Sequence, residues 1–115
     1  MKAGLPKEER LSGRTAIAAL TGKGRWVHSA HLRCCCLCGT GSGINRVMVS
    51  VPKKLFKRAV KRNLLKRRMR ESYRLQKQIL DTPDHDILFV YNASEPAEFS
   101  VIYEEVGTLL KKFAQ

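Results

Sequence analysis

Residues 46–80, RVMVSVPKKLFKRAVKRNLLKRRMRESYRLQKQIL, decide how this chain folds. The opening residues alternate. Val47, Val49 and Val51 point one way and Arg46, Met48 and Ser50 the other, which is the two-residue period of a half-buried strand. Pro52 ends that strand. No Gly or Pro follows until beyond Leu80, and the composition turns to Leu, Lys, Arg and Met, all strong helix formers. The stretch therefore predicts a strand followed by a long helix, broken by Asp81-Thr82-Pro83-Asp84.

The same stretch carries almost all of the charge. Between Pro52 and Lys77 lie twelve of the 22 Lys and Arg residues and one acid, Glu71, a net +11 out of +12 for the chain. The remainder has ten basic and nine acidic residues and is nearly neutral. At about 100° per residue, Arg62, Lys66, Arg70 and Arg74 fall on one arc of the helix, with Arg67 and Lys77 beside them. Like charges at this spacing destabilise a helix unless an acidic partner offsets them, and a solvated face ordinarily mixes both signs. A charge this local points to a nucleic-acid backbone, where neutralised phosphates release counterions. Arg grips phosphate bidentately and stacks on bases, and Asn63 among the cations both donates and accepts hydrogen bonds. Two apolar rows run along the helix, Leu65-Met69-Tyr73 and Val60-Leu64-Leu75-Ile79, and periodicity does not decide which of them faces the sheet.

Outward from this core, SGRTAIAALT (12–21) predicts a short helix capped by Ser12 and ended by Gly22 and Gly24. Trp26 to Cys38 reads as extended. GTGSG (39–43) reads as a hairpin loop; it lacks the Gly-Lys-Ser/Thr of a phosphate loop. On the far side, DILFVY (86–91) is the continuous apolar run of a central strand covered on both faces. NASEPAEFS (92–100) is a loop ending in a cap, Ser100. The last helix aligns Ile102, Val106, Leu109, Leu110 and Phe113 in one stripe, with Glu104 and Glu105 early and Lys111 and Lys112 late, as the helix dipole favours. The order of elements predicts a single α+β domain over residues 1–115, an α-β sandwich with helices packed on one central sheet.

Other classes are disfavoured. No apolar run approaches the roughly 20 residues of a membrane span. The longest near the start, Ala16 to Leu20, falls short of the roughly 7–15 residues of a secretory core, so the reading places the protein in the cytoplasm. Cys34, Cys35, Cys36 and Cys38 are too close for disulfides with one another and lack the two separated pairs of a zinc knuckle, although His28 and His31 lie near. They read as small hydrophobes in a buried strand, with Cys34, Cys36 and Cys38 on one face and Cys35 on the other. No Ser-His-Asp set or paired carboxylates suggest catalysis by the chain itself, and no metal site is assigned. A helix-turn-helix DNA binder would need a second helix just before the basic one, which is missing. The main rival is a ribosomal or ribosome-assembly RNA-binding protein with no catalytic role.

The residues nonetheless form a more specific pattern. Arg46-Val-Met-Val-Ser-Val-Pro-Lys53-Lys54, then Ala59-Val-Lys-Arg62-Asn63, then Lys66-Arg67, Arg70-Glu71 and Arg74, resemble the protein component of bacterial ribonuclease P. Glu9-Arg10-Leu11 is similar to the family's opening, and DILFVY to its strand after the basic helix. The resemblance implies a sandwich whose basic helix makes a left-handed crossover between parallel strands, a rare connection, as in the second domain of a small-subunit ribosomal protein. It implies 5′ maturation of precursor tRNA by an endonuclease in which the RNA subunit carries the catalysis. It also implies that magnesium sits mainly on that RNA, with no organic cofactor. The partners implied are the ribonuclease P RNA subunit and precursor tRNA, with no obligate protein partner and no membrane.

By matching motif positions, RNA binding is expected at Lys53, Lys54, Arg62, Asn63, Lys66, Arg67, Arg70 and Arg74. Arg58 and Lys61 are added from charge alone. The family holds the 5′ leader of the precursor in a cleft between helix and sheet, expected here around Ile17, Leu20, Met48 and Ser50. The chain departs from the family pattern at Leu64, where the motif has Arg, and at Met48, where it has Gly. The stacking Phe positions of the first helix hold Ile17 and either Leu20 or Thr21.

Overall fold

The computed structural model describes residues 5–114. A single 3-10 turn at Lys7–Glu9 leads into helix α1 (Arg14–Lys23), strands β1 (Arg25–His28), β2 (Leu32–Cys38) and β3 (Arg46–Ser50), and the long helix α2 (Ala59–Gln76). A 3-10 turn at Lys77–Ile79, strand β4 (His85–Tyr91) and helix α3 (Phe99–Ala114) complete it. The sheet order is β1-β2-β4-β3. β2 is antiparallel to both β1 and β4, while β3 and β4 are adjacent and parallel, joined through α2.

β4 is central, as its unbroken apolar run predicts. It is paired on both edges, and only Val90 is less than buried. α2 and α3 cover one face of the sheet. There Leu65, Met69 and Tyr73 from α2 and Ile102, Val106, Leu109 and Leu110 from α3 close over Cys34, Cys36, Val47, Val49, Ile87 and Phe89. Packing thus selects between the two apolar rows of α2. Leu65-Met69-Tyr73 is buried, whereas Val60 is 79% exposed and Leu64 and Leu75 also reach solvent. Burial pushes the Tyr73 phenol up to about 12, so it stays neutral in this core. α1 covers part of the other face, where Leu20 and Leu11 pack on Cys35 and Leu88.

Several expectations are corrected. Ser12 does not cap α1. The N-cap is Gly13, at φ 99°, which lies in the left-handed region that favours glycine. Gly22 lies within the helix, and Gly24 is its extended C-cap, a position closed to other residues because a Cβ there would meet the Leu20 carbonyl oxygen and the Cys35 sulfur, each at 2.5 Å. Residues 39–43 are not a hairpin loop, since β4 lies between β2 and β3. The loop instead passes over the start of β4, where the Thr40 N–H donates to the Asp84 carbonyl (3.2 Å) and the Gly43 N–H to the Asp84 carboxylate (2.5 Å). Cys38 is exposed, while Cys34, Cys35 and Cys36 are buried free thiols. α2 ends at Gln76 rather than near Leu80. α3 begins before Ser100, with the Glu98 carbonyl accepting from the N–H groups of Val101 and Ile102. Glu104 and Glu105 consequently lie beyond its first turn.

Candidate nucleic-acid interface

α2 is a helix with an uncomfortable start. Its N-terminal end has no acidic residue and no side-chain cap, although the helix dipole there disfavours Arg58, Lys61 and Arg62. Arg62 turns back to relieve this, its Nη1 donating to the carbonyls of Phe56 and Lys57 at 2.8 Å each. It therefore clamps the turn that follows Lys53 and Lys54 as well as presenting charge. Lys53, Lys54, Arg58, Lys61, Asn63, Arg67 and Arg70 are exposed, and Lys66 is half-buried. Arg74 is also half-buried and paired to Glu71 by two hydrogen bonds, 3.0 and 2.5 Å. Arg68 lies elsewhere, its Nη1 donating to the Ala97 carbonyl at 2.6 Å to hold the loop before α3. It thus does not stand in for the Arg that Leu64 replaces.

The exposed members of the expected set run from the Lys53-Lys54 turn along α2, with Arg58 and Lys61 beside Ser94 and Pro96 of the loop before α3 and Arg70 on the β3 flank of α2. On that flank is a cleft of about 310 Å³ lined by Leu5, Arg10, Leu11, Ser12, Val47, Met48, Val49 and Arg70. Its wall is the N-terminal segment, which pairs beside β3. Arg10 bridges Val47 in parallel, and the Leu11 N–H donates to the Val47 carbonyl at 2.8 Å. Lys77 meets Glu9 at 2.9 Å and ties this segment to the end of α2. Two cations and an apolar floor suit a single strand with backbone charge and unpaired bases.

Of the four residues expected in a leader cleft, only Met48 lines this one. Leu20 is fully buried under α1 and offers no surface to a ligand, because its side chain is needed to seal the second core cluster. Ile17 and Ser50 are half-buried and lie outside the cleft lining. Arg10 is the residue that motif reasoning left without a role. Glu9-Arg10-Leu11 was the available signal, and only the pairing with β3 turns it into a cleft wall. Arg46, on the face opposite Val47 and Val49, makes a two-pronged pair with buried Asp86, its cross-strand partner, at 2.9 Å for each contact. Among the described residues no group of three or more His, Cys, Asp or Glu is placed to hold a metal ion, and no helix is long and apolar enough to cross a membrane.

Comparisons with known proteins agree with this geometry. The family model described as Ribonuclease P matches residues 5–114. The ribonuclease P protein component of Porphyromonas gingivalis is 37% identical over 105 residues, covering 90% of this chain and 74% of that protein. The corresponding protein of Nitrosomonas eutropha is 36% identical over 73 residues, 64% of this chain and 60% of its own length. Among solved structures, the RNase P protein of Thermotoga maritima superposes with a TM-score of 0.78 at 25% identity, over 90% of this chain and 96% of that one. The Staphylococcus aureus RNase P protein shares the fold, with a TM-score of 0.79 at 23% identity over 91% and 94% of the two chains. A sheet with a parallel β3-β4 pair joined through a basic helix, with a cationic cleft on its flank, is thus accompanied by a family match over every described residue: the chain belongs to the ribonuclease P protein family.

Proposed function

We propose that this chain binds the RNA subunit of ribonuclease P through the exposed cations of α2 and the Lys53-Lys54 turn. The cleft between the N-terminal segment, β3 and Arg70 then holds the 5′ leader of precursor tRNA during its endonucleolytic removal. The observation that carries this reading is the continuity of the two surfaces at Arg70, which stands both on the cationic side of α2 and on the rim of the cleft. A protein that only attached itself to folded RNA would need the helix but not a neighbouring groove with an apolar floor.

In this reading the protein works in the cytoplasm, and the RNA subunit carries the bond cleavage together with magnesium. The protein contributes positioning: Arg10 and Arg70 neutralise leader phosphates while half-buried Met48 lies against a base. The family match argues against the ribosomal or ribosome-assembly alternative. The test is cleavage of precursor tRNA by the cognate RNA subunit at low magnesium, with and without this protein. Stimulated release of a mature 5′ end is expected. Absence of stimulation, together with tight binding to ribosomal RNA, would overturn the proposal.

A further inference from the structure

The strand register extends the cleft reading across the sheet. On the face that α1 partly covers, two rows of side chains run from β3 to β1. One row is Met48, Leu88, Cys35 and Trp26, and the next is Ser50, Val90, Arg33 and His28. In the first row α1 buries only the middle, Leu88 and Cys35, and leaves Met48 half-buried at one end and Trp26 39% exposed at the other. In the second row Ser50 and Val90 are half-buried and Arg33 and His28 exposed. None of these eight side chains is acidic.

The far end of these rows is built as an aromatic platform. The Arg33 guanidinium lies over the Trp26 ring, 4.6 Å from its centroid, and fixes the indole by cation–π attraction. Beside it is a cavity of about 280 Å³ lined by Trp26, Val27, His28, Arg33 and Asn92. Such a site offers a flat apolar surface, a positive charge and, from Asn92, a hydrogen-bond donor and acceptor. These are the requirements of an unpaired nucleotide, whose base stacks and whose phosphate seeks a cation. Four strands about 4.8 Å apart set the platform roughly 14 Å from β3.

We propose that Trp26, pinned by Arg33 and flanked by His28 and Asn92, is a base-stacking site for an unpaired nucleotide in the upstream part of a single-stranded RNA leader that enters over β3. The inference rests on the leader-cleft reading above. It goes further in assigning a second contact point on the opposite edge of the sheet, so that long leaders are held more tightly than short ones. An apolar protein partner fits less well, because Arg33 and His28 stand at the platform and no acid in the two rows balances them.

Trp26 is the only tryptophan in the chain, so its fluorescence reports the site directly. The experiment uses the protein assembled with its RNA subunit and precursor tRNAs whose leaders are lengthened one nucleotide at a time. Affinity is expected to rise at a definite leader length, with quenching of Trp26 fluorescence at the same length. Trp26→Ala is expected to lower the ratio of long-leader to short-leader affinity by about 5–150-fold, the effect of losing one stacked base. Trp26→Phe should restore part of the ratio, since it keeps an aromatic face. Thermal melting of each variant separates lost stacking from lost folding.

If the wild-type assembly shows no dependence on leader length, the cleft reading and the platform fall together. If the wild type depends on length but Trp26→Ala, folded, keeps the same ratio, the platform alone is overturned. Quenching that is equal for short and long leaders would also overturn it.

Discussion

At the scale of single residues, the cations of α2 divide into those that present charge and those that also hold the fold. The Arg70 side chain is exposed and makes no hydrogen bond or ion pair among the described residues, so its removal reports on binding alone. Arg70→Ala is expected to weaken binding of the RNA subunit or of precursor tRNA by about 1–3 kcal/mol with an unchanged melting temperature. Arg62→Ala is expected to lose a similar affinity but also stability, because the carbonyls of Phe56 and Lys57 lose their donor. Binding isotherms with thermal melts of both variants check the distinction, and identical melting behaviour would remove the clamp from Arg62. Leu64 stands where the family motif has Arg, and it is 37% exposed rather than part of the core. Leu64→Arg should therefore leave stability within about 0.5 kcal/mol of wild type, as surface changes do, and keep or tighten RNA affinity. A clear loss of affinity in a titration would mean that Leu64 packs against the RNA itself.

At the scale of elements, the turn between β1 and β2 is tied to α3 by one carboxylate. Glu105 accepts from the Ser29 hydroxyl, from the His31 N–H at 2.9 Å and from the His31 ring, 2.6 Å away. Burial acts to raise the pKa of Glu105, but these hydrogen bonds and the nearby His31 charge together outweigh it and hold the carboxyl below its ordinary value. A depressed carboxyl contributes stability that is complete above its unfolded pKa, about 4.3, and is lost as pH falls through the folded value. Denaturant melts across the acid range are expected to show this loss in the wild type and a shallower acid limb in Glu105→Gln, which is also less stable at neutral pH. Parallel acid limbs would mean that the tie contributes nothing. The loop from β4 to α3 is held similarly by Tyr91, whose hydroxyl donates to the Glu95 carbonyl (2.5 Å) and accepts from the Ala97 N–H (2.8 Å).

At the scale of the whole molecule, nearly all of the net charge is displayed on one helix and the turn before it. The described chain spans only 36 × 29 × 28 Å, so this is a concentrated field. If about six phosphates are neutralised, the logarithm of the binding constant should fall against the logarithm of salt with a slope of about −4 to −5. Titrations of the RNA subunit at several salt concentrations measure it, and a flat dependence would contradict an electrostatic interface. The opposite edge of the sheet, with Trp26 and Arg33, contributes mainly stacking and should change the intercept far more than the slope.

How far all this was legible in the chain depends on the range of the interaction. The strand at β3, the long helix α2, the central strand β4 and the stripe of α3 follow from periodicity, because burial against a sheet imposes a period of two or of 3.6 on the residues themselves. The cationic surface follows from composition, since like charges cannot be accumulated without an acidic partner, and the motif names the family. What the sequence left open was decided by contacts between segments far apart in the chain. Tertiary packing chose Leu65-Met69-Tyr73 over Val60-Leu64-Leu75 as the buried row of α2. It placed β4 between β2 and β3, so that residues 39–43 became a crossing loop. It buried Leu20, brought Arg10 beside Val47 and carried the row from Met48 across to Trp26. Local pattern specifies which elements form, because each residue's propensity and spacing act within a turn or two. Which side chains share a surface is set by strand order and register, which no segment carries by itself.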